Sequence, residues 1–202
     1  MSRVLILYGT TDGHTRKIAA ALRGILSWEG SRVDVIDAED VSRHVIPEDY
    51  DGVVVAASIH IGGYQRAVKR WVRAHADGLS GMPSAFVSVC LGIVEQRPEA
   101  QHEVRRILQR FLDRSGWRPR MTKTLAGAVL YTRYGRLKKW VMKRIVAKAG
   151  GGTDTTRDYE YTDWDDVRVF AREFAQRVEG RHHTEADKRE QSREAAHRHA
   201  SQ

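Results

Sequence analysis

Apolar positions along the chain follow two alternating patterns. Short, nearly continuous apolar runs stand at Val4–Tyr8, within Arg32–Asp37 (Val33, Val35, Ile36), at Gly52–Ala57, at Ala85–Cys90 and at Thr122–Leu130. Runs of this length, rich in β-branched residues, predict strands buried on both faces, as in a parallel sheet. Between them, apolar residues recur every three or four positions. Ile18, Leu22, Ile25 and Leu26 predict a helix over His14–Trp28, ended by Gly30. Val68, Trp71 and Val72 predict one over Gln65–Ala76, and Val104, Ile107, Leu108, Phe111 and Leu112 one over Glu99–Asp113. Val167, Phe170, Ala171, Phe174 and Val178 predict a last helix, and Ile46–Asp49 a turn or short helix.

The resulting order, β-α-β-β-α-β-α-β-insertion-α, implies an α/β fold with a parallel sheet covered on both faces. Five strands suit a doubly wound sheet in the order 2-1-3-4-5. A Rossmann half-domain is the competitor, but its Gly-x-Gly-x-x-Gly is missing after the first strand, where Gly9-Thr10-Thr11-Asp12-Gly13-His14-Thr15 stands instead. Two segments interrupt the pattern. Residues 131–158 form an insertion before the last helix. Residues 180–202 are a polar tail, expected to be disordered, so one domain is placed at 1–179.

Composition adds little to the fold and more to the partners. The chain has 202 residues, 41% hydrophobic and 30% charged, an ordinary globular balance. No apolar run is long enough to span a membrane. Met1-Ser2-Arg3-Val4 runs directly into the first strand, without the pattern of a signal peptide. The single cysteine, Cys90, excludes an internal disulfide and is read as structural. The net charge of +8 calls for an anionic partner. The tail histidines (His182, His183, His197, His199) are not fixed by a core, so no metal site is expected.

The loop Thr10-Thr11-Asp12-Gly13-His14-Thr15 joins a buried strand to an amphipathic helix. That junction exposes the first amides of the helix and makes an anion site. Gly13 permits a tight turn, and the threonines offer hydroxyl donors to a phosphate. A helix-capping turn is the plain alternative. A Gly-Lys-Ser/Thr ending is absent, which disfavours a P-loop nucleotide site. The third strand leads into Ser58-Ile59-His60-Ile61-Gly62-Gly63-Tyr64 and the fourth into Ser88-Val89-Cys90-Leu91-Gly92. Both leave the same sheet edge as the first loop, where ligands of such folds bind. A flat ring would fit between them, with His60, Ile61 and Tyr64 over one face and Val89 to Gly92 along the other.

The insertion carries seven basic residues and no acidic one between Arg133 and Lys148. Leu137, Val141 and Ile145 stand at helical spacing beside Trp140, among Arg133, Arg136, Lys138, Lys139, Lys143 and Arg144. This pattern predicts a helix with a greasy side and a cationic side, suited to an anionic membrane interface. Tyr131, Tyr134 and Trp140 are expected as interfacial anchors. A surface helix packed on its own domain is the alternative. The arrangement matches no nucleic-acid-binding fold, so no nucleic-acid partner is expected.

Later motifs are more specific: Met82-Pro83-Ser84-Ala85-Phe86, Ser115-Gly116-Trp117-Arg118-Pro119, Leu125-Ala126-Gly127-Ala128, Gly151-Gly152-Thr153-Asp154-Thr155 and Tyr161-Thr162-Asp163-Trp164. With the first loop and Ala57-Ser58-Ile59, they make residues 3 to 178 resemble the menaquinone-dependent protoporphyrinogen IX dehydrogenases, flavodoxin-like oxidases of bacterial haem synthesis. The resemblance implies a flavodoxin-like fold of the long-chain type, whose insertion splits strand five, with Tyr159–Thr162 as its second half. It implies FMN, its phosphate held by Thr10, Thr11, Asp12, Gly13, His14 and Thr15. Its ring would lie against Ser58, Ile59, His60, Ile61 and Gly62 and against Ser88, Val89, Cys90, Leu91 and Gly92.

It further implies removal of six electrons from protoporphyrinogen IX, passed to menaquinone or ubiquinone, by a peripheral protein on the cytoplasmic face of the inner membrane. Arg133, Arg136, Lys138 and Lys139 become partners for the substrate propionates, and His60, by position alone, the candidate proton acceptor. Asp12 replaces the Ser or Thr usual in flavodoxins, and Ser88–Gly92 offers no aromatic to stack on the ring, which implies an open flavin face. The alternatives are a flavodoxin-type electron carrier, disfavoured by the charge of +8, and a soluble FMN-dependent quinone or NAD(P)H oxidoreductase. Bleaching by NAD(P)H without porphyrinogen marks the latter.

Overall fold

A computed structural model describes residues 1–92, 98–133 and 154–180. The apolar runs form β1 (Arg3–Gly9), β2 (Arg32–Asp37), β3 (Gly52–Ser58), β4 (Ser84–Cys90) and β5 (Met121–Ala126). They make one parallel sheet in the order β2-β1-β3-β4-β5, as the alternation predicts. The helices are α1 (His14–Trp28), α2 (Arg66–Ala74), α3 (Ala76–Ser80), α4 (Pro98–Ser115) and α5 (residues 164–180).

Period-2 alternation along each strand sends side chains to two cores. Val4, Ile6 and Tyr8 of β1, with Val54, Ala56 and Val87, meet Ile18 and Leu22 of α1 and Phe170 and Phe174 of α5. Leu5, Leu7, Val53, Val55 and Phe86 face the opposite way, onto Val68 and Trp71 of α2, Leu79 of α3 and Phe111 of α4. The central strands are therefore apolar on both sides, which is why their runs are unbroken. Gly52 lets α5 approach: a Cβ there would stand 2.5 Å from Val178 Cγ2.

Two elements depart from the prediction. The helix expected over Gln65–Ala76 ends at Ala74, and a separate short α3 follows. Strand five ends at Ala126, and Tyr159–Thr162 does not extend it within the main sheet. Tyr159–Glu160 (β7) pairs antiparallel with Ala128–Val129 (β6) in a ribbon of its own beyond the end of β5. The ribbon is tied back where Tyr161 N–H donates to Gly127 O at 3.1 Å and Gly127 N–H to Cys90 O at 3.1 Å. Tyr131 lies fully buried at the ribbon, edge-on to Tyr159 at 6.1 Å. This corrects its assignment as an interfacial anchor: its ring is spent inside the fold. Tyr134, Arg136, Lys138, Lys139, Trp140, Lys143, Arg144 and the tail histidines lie outside the described residues.

Candidate functional site

The carboxyl ends of β1, β3, β4 and β5 bring the predicted loops together, as the parallel register requires. Gly9 ends β1 and Gly13 sits at the N-cap of α1 with φ 91°, a left-handed conformation that favours glycine. Gly13 N–H donates to Thr10 Oγ1 at 2.9 Å, which closes the turn. No side chain caps α1, and no acidic residue stands in its first turn. The positive end of the helix therefore opens onto the loop with no capping side chain and no acid of its own first turn against it.

Thr15 adds an independent sign of a ligand. Its residue is 1% exposed, and its hydroxyl has no hydrogen-bond partner. An unpaired buried hydroxyl costs free energy, and such groups in native folds mark a missing partner. An anion oxygen brought to the α1 terminus would supply one.

Gln65, absent from the sequence-predicted site, joins two of the loops. Its Nε2 donates to Thr11 Oγ1 at 3.1 Å and to Ser58 Oγ at 2.9 Å, while its Oε1 is buried and unpartnered. Gly9 makes room for it: a Cβ at Gly9 would stand 2.9 Å from that Oε1 and 2.5 Å from Val68 Cγ2. Its polarity at a predicted helix start is the one signal the sequence offers.

The second loop folds back as a tight turn. His60 N–H donates to Gly63 O at 2.8 Å, and Gly63 N–H to His60 O at 3.2 Å. Ile61 and Gly62 at its tip both have positive φ, 47° and 73°. Ile61 is 93% exposed, so a β-branched apolar residue is held in a strained conformation in the open. His60 is exposed beside it. Tyr64 does not join them over a ring, as expected, but points into the core. Its hydroxyl bonds Ser88 Oγ at 2.8 Å, its ring meets Phe86 and Phe111 edge-on, and burial pushes its pKa up.

The third loop presents mainly backbone. Ser88, Val89 and Cys90 are buried in β4, and Ile59 N–H donates to Val89 O at 2.9 Å. Leu91 and Gly92 are half-buried beyond them.

His14 has a different role from the rest of its loop. Its Nε2 lies 2.6 Å from Thr162 Oγ1, and that hydroxyl donates to Ala126 O at 2.7 Å. His14 therefore donates, and links α1 to the chain returning from the insertion. Lys17 and Glu160 reinforce the same joint at 2.6 Å, and Trp164 Nε1 donates to Glu160 at 2.7 Å. Burial holds the His14 pKa below that of a free histidine, partly offset by Glu160. The unfolded chain then binds more protons than the folded one just below about pH 6.5, so stability falls as pH drops through that value toward the lower folded pKa. Melting temperatures measured from about pH 7.5 to about pH 5 should decline in the wild type and decline less in His14→Asn.

The family model "Flavodoxin domain" matches residues 5–156, and the doubly wound sheet with its three convergent loops agrees with it, so the chain is a flavodoxin-class protein. The solved flavodoxin 1 of Bacillus cereus superposes with a TM-score of 0.54 at 17% identity, covering 87% of this chain and 98% of its own. An archaeal flavodoxin gives 0.51 at 13% identity, covering 88% and 99%. At these identities the likeness shows the fold. The protoporphyrinogen IX dehydrogenase [quinone] of Escherichia coli strain K12 is 40% identical over 174 residues, 86% of this chain and 94% of that protein. The protein of the same name from Leishmania major is 37% identical over 175 residues, 86% of this chain and 74% of its own. The chain belongs to the protoporphyrinogen IX dehydrogenase (quinone) family.

Proposed function

We propose that this chain oxidises protoporphyrinogen IX to protoporphyrin IX, with FMN as its resident group and a quinone as the electron acceptor. The observation that carries this reading is the 40% identity to the E. coli enzyme over 94% of that enzyme's length. The residues present fit FMN: the orphaned Thr15 hydroxyl and the uncapped end of α1 suit its phosphate, and the buried Gln65 Oε1 suits a ring N–H. When bound, FMN supplies the two-electron redox chemistry of the flavin.

The chain's own residues position and exclude. Thr10, Gly13 and Thr15 would hold the phosphate, with the backbone of the same loop. Gln65 fixes the Thr11 and Ser58 loops at one spacing, so the ring site does not widen. The Ile61–Gly62 turn stands open to solvent and leaves room for a substrate as broad as a porphyrinogen. His60, exposed in the same turn, is the candidate proton acceptor by position. The basic insertion attracts the propionates, with Arg133, Arg136, Lys138 and Lys139 as their partners.

Purified protein loaded with FMN should form protoporphyrin from protoporphyrinogen IX in a quinone-dependent way, read by porphyrin fluorescence. Equal rates with and without protein contradict the reading.

No helix among the described residues is long and apolar enough to cross a membrane. We place the protein peripherally on the cytoplasmic face of the inner membrane, docked on anionic lipid, and accepting menaquinone or ubiquinone there. Support comes from the amphipathic, cationic sequence of the insertion. Replacing Lys138, Lys139, Lys143 and Arg144 by Gln should weaken sedimentation with anionic liposomes roughly tenfold or more and leave FMN bound. Unchanged sedimentation removes the insertion from the docking surface.

A further inference from the structure

Cations are distributed unequally over the two helical layers. On the α1/α5 side several are neutralised in pairs: Arg172 with Glu29 at 3.1 Å, Lys123 with Asp166 at 2.6 Å, and Arg168 with Asp165. On the other side, α2 buries Ala67, Val68, Trp71 and Val72 and turns Arg66, Lys69, Arg70 and Arg73 outward. Among the described residues no ion pair engages any of these four, nor Arg114 of α4. On α4, Glu103 is engaged by Arg106 at 2.7 Å and Asp113 by Gln109 at 2.8 Å. Arg66, Lys69, Arg70, Arg73 and Arg114 line a groove of about 530 Å³ between α2 and α4, floored by Phe111.

We propose that this α2/α4 face is a second docking surface for anionic lipid headgroups, formed by residues other than those of the insertion. The proposal rests on the reading that the protein works at an anionic membrane. Unpaired cations spread over two helices fit a two-dimensional sheet of phosphates, and each adds attraction near such a surface. Exposed Ile61 stands at the turn just ahead of α2 and offers an apolar side chain near that end of the helix. Nucleic acid fits less well: among the described residues of α2 and α4 no Phe, Tyr or Trp is exposed for stacking on bases. The consequence is orientation. Arg66 directly follows Gln65, which braces the cofactor loops, so a membrane on this face meets the edge at which a lipid-soluble acceptor must arrive.

The test compares three FMN-loaded proteins: wild type, a quadruple variant with Lys69, Arg70, Arg73 and Arg114 each changed to Gln, and an α5 control with Arg168 and Arg172 changed to Gln. Each is sedimented with phosphatidylglycerol-containing and with pure phosphatidylcholine vesicles, across a salt series, beside a duplex DNA binding assay. The expected result is salt-sensitive binding of the wild type and control to anionic vesicles, weakened roughly tenfold or more in the quadruple variant. Turnover of the quadruple variant with a water-soluble quinone analogue should match the wild type. Quadruple-variant binding equal to wild type overturns this surface and leaves the membrane reading standing. A wild type that ignores anionic vesicles overturns both. Tighter binding to DNA than to vesicles, lost in the quadruple variant, overturns the choice of lipid.

Discussion

Thr15→Val should yield a folded protein that binds FMN roughly 10- to 100-fold more weakly, and whose apoprotein melts no lower than wild type. The two halves of this expectation have one cause. The Thr15 hydroxyl is buried and unpartnered without a ligand. A hydrogen bond to a charged group contributes about 1.5–3 kcal/mol, which sets the loss of affinity. Valine keeps the branched shape of threonine, and removing an unsatisfied buried hydroxyl relieves the free chain. A residue that merely packed α1 would show the opposite in the apoprotein, a fall in melting temperature. Fluorescence titration with FMN and a thermal melt of the apoprotein check both halves.

The largest stability loss is expected at the far end of the sheet. Trp117 is 1% exposed, its Nε1 donates to Ser84 Oγ at 3.1 Å, and Phe86 meets it edge-on at 5.8 Å. Gly116, with φ 75°, turns the chain out of α4 so that the indole enters the core. Trp117→Ala removes a large side chain from a packed site and should cost about 3–5 kcal/mol. In a domain of this size that lowers the melting temperature by roughly 6–20 °C. Trp117 precedes β5 at the edge opposite the cofactor loops, so the folded fraction should still bind FMN with wild-type affinity. Thermal melts and an FMN titration below the transition separate the two effects.

The sheet was legible in the sequence because its physics is local to each strand. Val4–Tyr8 and Val53–Ala57 are apolar at every position since both faces are covered, and helices of 3.6 periodicity separate them. The loops of the site were legible by position, as ends of parallel strands. Three features were not. Helix α3, with Leu79 as its one buried apolar side chain, is held by Ser80 Oγ on Ala76 O and Ser84 Oγ on Leu79 O. The β6/β7 ribbon has strands of two residues, too short for any period to register. Gln65, His14 and Thr162 act across the chain: Gln65 reaches 54 positions back and His14 reaches 148 ahead. Spacing also could not tell which way Tyr64 and Tyr131 turn, since an aromatic near a loop serves equally as ligand wall and as core.

If this chain removes electrons from a porphyrinogen at its cofactor edge, the flavin itself must be reduced by that substrate. Anaerobic mixing of the FMN-loaded protein with protoporphyrinogen IX, without quinone, should then bleach the flavin absorbance rapidly, matched by protoporphyrin formation, with recovery of the absorbance when quinone is added. Bleaching no faster than that of free FMN in buffer contradicts this activity.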